Sequence, residues 1–253
     1  MDLPGYEELK RIAESVGNLS GWDFAQVRDE RGPMPWEYVD VARRTVSATD
    51  EVLDIGTGGG KRFLTLAPHF RRGTGTDISP DMIAQARRNA SAQRVDNVEW
   101  QVTDGHRLAF ADGRFDVVLN RHCRVDAAET VRVLRRGGTF ITQQVARRNT
   151  LNILAAFGWT PESFGADWFQ PVEGLAAEFT RLGCRVVARG EYDVRYWFLD
   201  VESLLFWLKA VPLPEPFDLE VHWQGVRRIL NKHRTGRGIE TNEHRELLIV
   251  EKI

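Results

Sequence analysis

The sequence predicts an α/β fold, with a seven-stranded mixed sheet and helices on both faces. From residue 51 onward, short apolar runs alternate with segments of helical periodicity. The first run, Val52 to Ile55, leads directly into a glycine-rich turn. An acidic residue, Asp77, follows the second run, about one strand–helix–strand unit after Asp54. Because such units cross over in a right-handed sense, most strands are expected to be parallel.

The first 50 residues are predicted to form an N-terminal helical lid segment, ahead of a main domain over 51–253. Apolar residues recur at helical spacing over 6–16, which predicts an amphipathic opening helix. Aromatic residues separated by turn formers then precede the main domain: Trp22, Phe24, Trp36 and Tyr38. These rings are candidates for substrate contact, and they are equally candidates for packing around a helix over 38–45.

The main domain is predicted to alternate strands and helices. Strands are predicted at 52–55, 72–76, 98–102, 116–119, 138–145, 185–191 and 245–251, and 192–198 continues as a further strand or extended edge. Helices are predicted at 60–68, 80–92, 172–182, 201–211 and 219–233. Ser79 followed by Pro80 is a typical helix start. The last strand is expected to be the antiparallel member of the sheet.

The turn after the first strand has the composition of a ligand-binding loop. Gly56, Gly58 and Gly60 allow a sharp backbone turn, although glycines also serve turns that bind nothing. The carboxylate of Asp77 can accept hydrogen bonds from the two hydroxyls of a ribose. A nicotinamide fingerprint has the spacing Gly-x-Gly-x-x-Gly, so the spacing Gly-x-Gly-x-Gly disfavours a dehydrogenase.

Five motifs occur in order along the chain: Val52 to Gly60, Gly75-Thr-Asp-Ile-Ser-Pro-Asp-Met, Val102-Thr-Asp-Gly, Phe115-Asp-Val-Val-Leu-Asn, and Leu134-Arg-Arg-Gly-Gly-Thr-Phe-Ile. With them, the chain resembles the class I S-adenosylmethionine-dependent methyltransferases, in particular the small stand-alone group. The resemblance is strongest over 35–145 and implies a Rossmann-like sheet. It also implies that 195–240 is a helical insertion that shapes the substrate pocket.

The resemblance implies S-adenosylmethionine as cofactor and S-adenosylhomocysteine as product. The implied cofactor-binding positions are Asp54, Gly56, Thr57, Gly58, Gly60, Asp77, Ile78, Met82, Asp104, Gly105 and Asn120. Among these, Asp54 and the glycine turn would hold the methionine moiety and Asp77 the ribose. Ile78 would cover one face of the adenine and Asp104 would bind its amino group, while Asn120 would line the methyl-transfer site.

Polar residues end the predicted fourth strand, where open α/β sheets bind ligands. His122 is the candidate general base, because histidine titrates near neutral pH and some acceptors must lose a proton. It could instead bond only to backbone or water, and His106 and His69 are weaker candidates. Asn120-Arg-His-Cys departs from the Asn/Asp-Pro-Pro-Tyr/Phe corner of relatives that methylate adenine or glutamine amides. This departure disfavours those substrates.

Further substrate contacts are predicted beside the same strand ends. Arg121 follows the fourth strand, and Gln143 and Gln144 lie near the end of the fifth. Alternation sends one glutamine to each face of the sheet, and either amide could bind a polar acceptor or pair with local backbone. The predicted substrate residues are Trp22, Phe24, Trp36, Tyr38, Arg121 and Gln144.

Composition limits the other possibilities. The 34 basic and 36 acidic residues give a formal charge of −2, so no global positive field attracts nucleic acid. The two cysteines lack metal-site or disulfide spacing, and no metal site is predicted. A polar N-terminus and the lack of long apolar runs predict a cytoplasmic protein without membrane spans, as a monomer or homodimer.

The leading hypothesis is methyl transfer from S-adenosylmethionine to a small molecule, at oxygen or nitrogen rather than carbon. Proximity and orientation would supply most of the catalysis. The alternatives are an RNA or protein methyltransferase, and an S-adenosylmethionine-binding protein without catalysis.

Overall fold

The computed structural model describes residues 3–17 and 24–253, which divide into two compact units. The sheet unit comprises Pro35–Val145, Gln170–Glu191 and Arg245–Ile253. The helical unit comprises Met1–Met34, Ala146–Phe169 and Tyr192–His244. The predicted boundary between a lid over 1–50 and a domain over 51–253 remains a prediction.

The helices are α1 (Tyr6–Ser15), α2 (Tyr38–Thr45), α3 (Lys61–Leu66), α4 (Pro80–Gln93), α5 (Ala127–Val133), α6 (Leu151–Ala155), α7 (Val172–Arg181), α8 (Val201–Ala210) and α9 (Leu219–His233). The strands are β1 (Asp29–Arg31), β2 (Glu51–Ile55), β3 (Arg72–Asp77), β4 (Val98–Val102), β5 (Phe115–Arg121), β6 (Leu134–Val145), β7 (Cys184–Phe198) and β8 (Ile239–Lys252). Two 3₁₀ turns cover Ala67–His69 and Pro161–Phe164.

The strands follow the order β1-β7-β8-β6-β5-β2-β3-β4. Pairing is parallel among β4, β3, β2, β5 and β6, and it is antiparallel between β6 and β8 and between β1 and β7. This arrangement confirms the predicted α/β class with a mixed sheet. Parallel pairing brings the carboxyl ends of β2, β3, β4 and β5 to one edge, which is where open α/β sheets bind ligands.

Residue alternation explains how the sheet unit builds a core on each face. Leu53 on β2 and Val118 on β5 face a cluster that includes residues of α5 and α7. Their neighbours Val52 and Val117 face the opposite cluster, which includes residues of α2, α3 and α4. Both faces of the parallel strands are therefore covered by apolar side chains, as expected for a central parallel sheet.

The helical unit has its own apolar cluster. Leu9 of α1, Leu204 of α8 and Ile229 of α9 are buried in it, together with Phe198 at the end of β7. The predicted helices over 6–16, 201–211 and 219–233 thus form within one or two residues of their expected bounds. Within the described part of the chain, no helix combines the length and apolar character that crossing a membrane requires.

The strand count differs from the prediction by one. The structure adds β1, a three-residue strand of polar residues that pairs with the end of β7. It also joins the segments predicted at 185–191 and 192–198 into the single strand β7. Helices α5 and α6 are further additions, and both are shorter than two and a half turns.

Candidate functional site

The glycine turn after β2 requires glycine at three positions. The φ angles are +74° at Gly56, +55° at Gly58 and +72° at Gly60, in the left-handed region that favours glycine. The N–H groups of Gly56 and Thr57 both donate to the Thr76 carbonyl, at 2.9 and 2.8 Å. The turn is therefore bound tightly to the end of β3.

Two of these glycines also leave room for neighbouring side chains. A Cβ atom at Gly56 would lie 2.5 Å from the Cβ of Cys123, and one at Gly60 would lie 2.5 Å from the ring of Trp100. Real Cβ atoms do not approach this closely, so alanine cannot replace either glycine without movement of its neighbours. Packing within the sheet unit therefore favours glycine at these two positions, whether or not the turn binds a ligand.

The carboxylate of Asp77 joins the glycine turn to the start of α4. Its Oδ2 atom accepts from the Gly58 N–H at 2.9 Å, and its Oδ1 atom accepts from the Ser79 N–H at 3.0 Å. Ser79 in turn caps α4 by accepting from the Met82 N–H. A carboxylate offers about four acceptor positions, so Asp77 retains capacity for the two hydroxyls of a ribose.

Two exposed apolar side chains lie beside Asp77. Ile78 is 72% exposed and Val102 is 49% exposed, and Val102 pairs with Asp77 across β3 and β4. In the turn after β4, the side chain of Asp104 accepts from the His106 N–H at 3.0 Å. A Cβ atom at Gly105 would lie 3.1 Å from Ile55 of β2. The predicted adenine-binding positions thus lie near the strand ends.

Asp54, in β2, has a perturbed carboxyl group. Burial of the carboxyl, with a contribution from the nearby charge of Asp77, raises its pKa from 3.8 to about 7. The Thr57 hydroxyl and the positive charges of Arg121 and Arg62 act in the opposite direction. A cationic ligand beside Asp54 would favour its ionised form.

Tyr38 supports the end of β5 from α2. It is 6% exposed, and its hydroxyl donates to the Asn120 carbonyl at 3.1 Å. Burial, with a contribution from the charge of Asp54, raises the pKa of the phenol well above its ordinary value. Tyr38 is therefore a neutral phenol that holds the backbone at Asn120.

Trp36 and His122 are linked through Gln143. The indole Nε1–H of Trp36 donates to Gln143 Oε1 at 3.1 Å, and Gln143 Nε2 lies 3.4 Å from His122 Nε2. Because indole only donates, Gln143 must present its oxygen to Trp36 and its amide nitrogen to His122. His122 is exposed and has a φ of +56°, a conformation that is uncommon for residues other than glycine.

Buried polar side chains meet at the ends of β5 and β6. Asn120 is 1% exposed, and its Oδ1 atom accepts from Thr142 Oγ1 at 2.8 Å and from Gln144 Nε2 at 2.9 Å. Gln144 Nε2 also lies 3.0 Å from the Cys123 carbonyl oxygen. Gln144, predicted to contact substrate, therefore bonds to neighbouring protein groups.

The remaining predicted residues are distributed differently. Arg121 lies close enough to Asp54 to influence its pKa. Phe24 belongs to the helical unit, where its ring contacts Phe206 edge to face at a centroid distance of 6.2 Å. Trp22 lies outside the described residues. In the described ranges, 3–17 and 24–253, no group of three or more His, Cys, Asp or Glu residues has the arrangement of a metal site.

The structure places several unpredicted residues at this edge: Arg62, Trp100, Val102, Cys123 and Thr142. Thr142 had a sequence signal, because it precedes Gln144 by two residues on one strand and so points to the same face. Cys123 directly follows the polar run that ends β5. Trp100 had no signal, since its contact with Gly60 depends on packing between distant segments.

The composition of this edge fits S-adenosylmethionine. The three left-handed glycines form a turn beside Asp54, Asp77 has spare acceptor capacity, and exposed apolar side chains flank it. The buried Thr57 Oγ1 and Asn120 Nδ2 atoms have no hydrogen-bond partner of ordinary geometry among the described residues. Such buried polar atoms commonly indicate a missing ligand or water.

Comparisons with known proteins agree with the resemblance found in the sequence. Residues 52–138 match the family model described as a methyltransferase domain. Together with the sheet order and the five sequence motifs, this match supports the resemblance to class I S-adenosylmethionine-dependent methyltransferases.

Two curated relatives carry quinones in their names. Demethylmenaquinone methyltransferase of Tropheryma whipplei is 36% identical over 113 residues, which cover 42% of this chain and 46% of the relative. The ubiquinone/menaquinone biosynthesis C-methyltransferase UbiE of Desulfotalea psychrophila is 33% identical over 144 residues, covering 53% and 56%. The chain thus spans about half the length of the curated relatives it matches.

Solved structures show the same fold at low identity. The YcgJ protein of Bacillus subtilis is 17% identical with a TM-score of 0.61, covering 85% of this chain and 97% of that protein. A SAM-dependent methyltransferase of Methanosarcina mazei is 17% identical with a TM-score of 0.53, covering 84% and 97%. The [4+2]-cyclase SpnF is 15% identical with a TM-score of 0.58, covering 100% and 97%.

Proposed function

We propose that this protein transfers the methyl group of S-adenosylmethionine to a small-molecule acceptor. The observation that carries the proposal is the carboxylate of Asp77. It accepts hydrogen bonds from the Gly58 N–H in the glycine turn and from the Ser79 N–H just before α4. At the carboxyl end of β3 it can still accept further hydrogen bonds. A ribose diol is the ligand group that suits such a carboxylate.

The surrounding residues would hold the rest of the cofactor. Asp54 and the turn over 56–60 would bind the methionine moiety, Ile78 and Val102 would contact the adenine, and Asp104 would bind its amino group. When bound there, S-adenosylmethionine would supply an electrophilic methyl carbon on a sulfonium sulfur. A lone pair of the acceptor would attack this carbon, and S-adenosylhomocysteine would leave with the electrons of the carbon–sulfur bond. The carboxylate of Asp54 would favour this positively charged ligand.

The residues of this chain would contribute mainly position and charge. Methyl transfer requires an in-line approach, so fixed placement of both molecules supplies several kcal/mol of the effect. His122 would take the proton from an acceptor that has to lose one. To act as a base, His122 Nε2 would have to exchange its 3.4 Å contact with the Gln143 amide nitrogen for one with the acceptor.

The nature of the acceptor is proposed from the relatives. Two of them are named after menaquinone or ubiquinone, and another relative is a phthiotriol/phenolphthiotriol dimycocerosates methyltransferase of Mycobacterium tuberculosis, 34% identical over 116 residues. We propose a small apolar acceptor with polar substituents. The sequence favours methylation at oxygen or nitrogen, whereas one relative is named a C-methyltransferase, so the assay must identify the methylated atom.

Other sequence-based predictions remain part of this proposal. They are a lid over 1–50 that includes Trp22 and Phe24, a substrate-pocket insertion over 195–240, a monomer or homodimer, a cytoplasmic location and no nucleic-acid partner. Among the alternatives, an RNA or protein methyltransferase gains no support from the formal charge of −2. The structurally similar protein SpnF is a [4+2]-cyclase, so the fold alone does not determine the reaction.

The test is a methylation assay with methyl-labelled S-adenosylmethionine and four aromatic probes: 1,4-dihydroxynaphthalene, catechol, aniline and thiophenol. Total RNA and a protein extract are included as competing acceptors. We expect S-adenosylhomocysteine and a labelled small product, whose methylated atom is then assigned by NMR. Label in RNA or protein alone would support the first alternative. Binding of S-adenosylhomocysteine without turnover on any acceptor would support a non-catalytic protein.

A further inference from the structure

The side-chain amide of Asn120 is buried at the carboxyl end of β5 and uses only one of its two polar atoms. Asn120 pairs with Ile55 across the sheet, so it lies beside the glycine turn that follows β2. Its Oδ1 atom accepts two hydrogen bonds, from Thr142 and Gln144. Its Nδ2 atom has no hydrogen-bond partner within residues 3–17 and 24–253.

The orientation of this amide follows from a chain of hydrogen bonds. The Cys123 carbonyl oxygen can only accept, so the Gln144 atom that lies 3.0 Å from it must be the amide nitrogen. An Asn120 amide nitrogen 2.9 Å from that nitrogen would set two donors against each other, so the Asn120 atom there is the oxygen. Thr142 Oγ1 also lies 2.7 Å from Gln144 Nε2, whose two hydrogens are shared among three acceptors, and it donates to the same Asn120 oxygen. The donor end of Asn120 therefore points away from Thr142 and Gln144.

The thiol of Cys123 lies near the donor end. Burial, with the nearby charges of Asp77 and Asp54, raises the pKa of this thiol to about 11, and the Asn120 amide acts weakly in the opposite direction. Cys123 is thus a neutral thiol, whose sulfur is a weak acceptor, and the contact lacks the geometry of a hydrogen bond. An unsatisfied buried N–H group is unfavourable, and a ligand oxygen that accepts from it would remove the penalty.

We infer that the Asn120 Nδ2 group donates to an oxygen of the methyl acceptor, so that the protein selects phenols, quinols or enols over amines. This inference rests on the proposed function and goes beyond it by naming the acceptor class. An amine nitrogen has a single lone pair, which it needs for attack on the methyl carbon, whereas an oxygen has a second lone pair that can accept from the amide. The oxygen of a phenol, quinol or enol would accept from the amide in both cases: when the methyl group goes to that oxygen, and when it goes to the adjacent carbon.

The test compares two matched probes, 1-naphthol and 1-naphthylamine, on protein saturated with S-adenosylhomocysteine. Calorimetry gives both affinities, and the side-chain amide signal of Asn120 is followed by ¹H–¹⁵N NMR. We expect 1-naphthol to bind at least tenfold more tightly than 1-naphthylamine and to shift the Asn120 signal. Equal affinities, no binding of either probe, or binding of 1-naphthol without a shift of that signal would overturn the inference.

Two variants complete the test. Asn120→Asp replaces the donor with an acceptor of the same shape and should weaken 1-naphthol binding at least tenfold. Thr142→Val removes the hydroxyl that holds the amide and should reduce the preference for 1-naphthol. Thr142→Val should bind S-adenosylhomocysteine like the wild type, and 1-naphthol binding to Asn120→Asp is measured at saturating S-adenosylhomocysteine. A tenfold loss of S-adenosylhomocysteine affinity in Asn120→Asp would instead assign the amide to the cofactor, and failure of the wild type to bind S-adenosylhomocysteine would refute the proposed function itself.

Discussion

Asp77 accepts a hydrogen bond from the backbone N–H of Gly58 through its Oδ2 atom, at 2.9 Å. This bond links the two sequence motifs that define the proposed cofactor site, the glycine turn after β2 and the acidic end of β3. Because the turn is also bound to the Thr76 carbonyl through the Gly56 and Thr57 N–H groups, the two motifs form one rigid corner.

We expect Asp77→Asn to weaken S-adenosylhomocysteine binding by about 1–3 kcal/mol, because charged hydrogen bonds to the ribose would be lost. Calorimetric titration measures the change. Asp81→Asn is the matched control, since Asp81 is an exposed carboxylate in the first turn of α4. Unchanged affinity in a folded Asp77→Asn protein would contradict the assigned role.

Gly56→Ala should destabilise the protein more than Gly137→Ala. Both glycines have a φ of +74°, so both substitutions impose the same backbone strain of about 1–2 kcal/mol. Only at Gly56 would the new Cβ atom collide with another residue, at 2.5 Å from Cys123, whereas nothing lies within 4 Å at Gly137. Denaturant unfolding gives both free energies. Equal losses would show that the contact with Cys123 is not restrictive.

The stability of the ligand-free protein should fall as the pH rises from about 4 to about 7. The folded state raises the pKa of Asp54 from 3.8 to about 7, so within this window the folded protein keeps a proton that the unfolded chain releases. The dependence should level off above about pH 7. The whole shift corresponds to a loss of about 4 kcal/mol, or on the order of ten degrees in Tm.

Asp54→Asn should remove this dependence, because the amide does not titrate. The Tm difference between the variant and the wild type should therefore grow in favour of the variant between pH 5 and pH 8. Thermal unfolding followed by circular dichroism at both pH values provides the measurement. A Tm difference that is constant with pH would contradict the raised pKa of Asp54.

His122→Asn should lower kcat about 10²- to 10⁴-fold for acceptors that must lose a proton, the usual range for loss of a general base. Asparagine tolerates the left-handed backbone conformation at this position. S-adenosylhomocysteine affinity should not change. His69→Asn, at a 3₁₀ turn, is the control and should retain wild-type kcat. A kcat near the wild-type value in His122→Asn would remove His122 from the mechanism.

The parts of the fold that repeat local patterns could be predicted from the sequence. Apolar runs gave β2, β3, β4 and β5 to within a few residues, and the Ser79-Pro80 pair marked the start of α4. The strand β1 could not be predicted, because Asp29, Glu30 and Arg31 carry no apolar alternation and their partners on β7 are distant in sequence. The continuity of β7 likewise depends on its neighbours in the sheet.

In the site, the positions of the motifs could be predicted, but the partners of their side chains could not. Gln144 was expected to meet substrate, yet it bonds to Asn120, Thr142 and the Cys123 carbonyl. Tyr38 was expected among the substrate contacts, yet its hydroxyl bonds to the backbone of Asn120. These bonds join residues that are distant in sequence, and which polar groups meet depends on strand register and packing. Their roles toward ligands remain proposals.

The central claim is that the corner formed by the glycine turn and Asp77 binds S-adenosylmethionine. Calorimetric titration of the purified protein with S-adenosylmethionine, S-adenosylhomocysteine and NAD tests it most directly. We predict micromolar binding of the first two ligands and no binding of NAD. Binding of NAD alone would contradict the claim and assign the glycine turn to a dinucleotide. Binding of none of the three ligands would also contradict it.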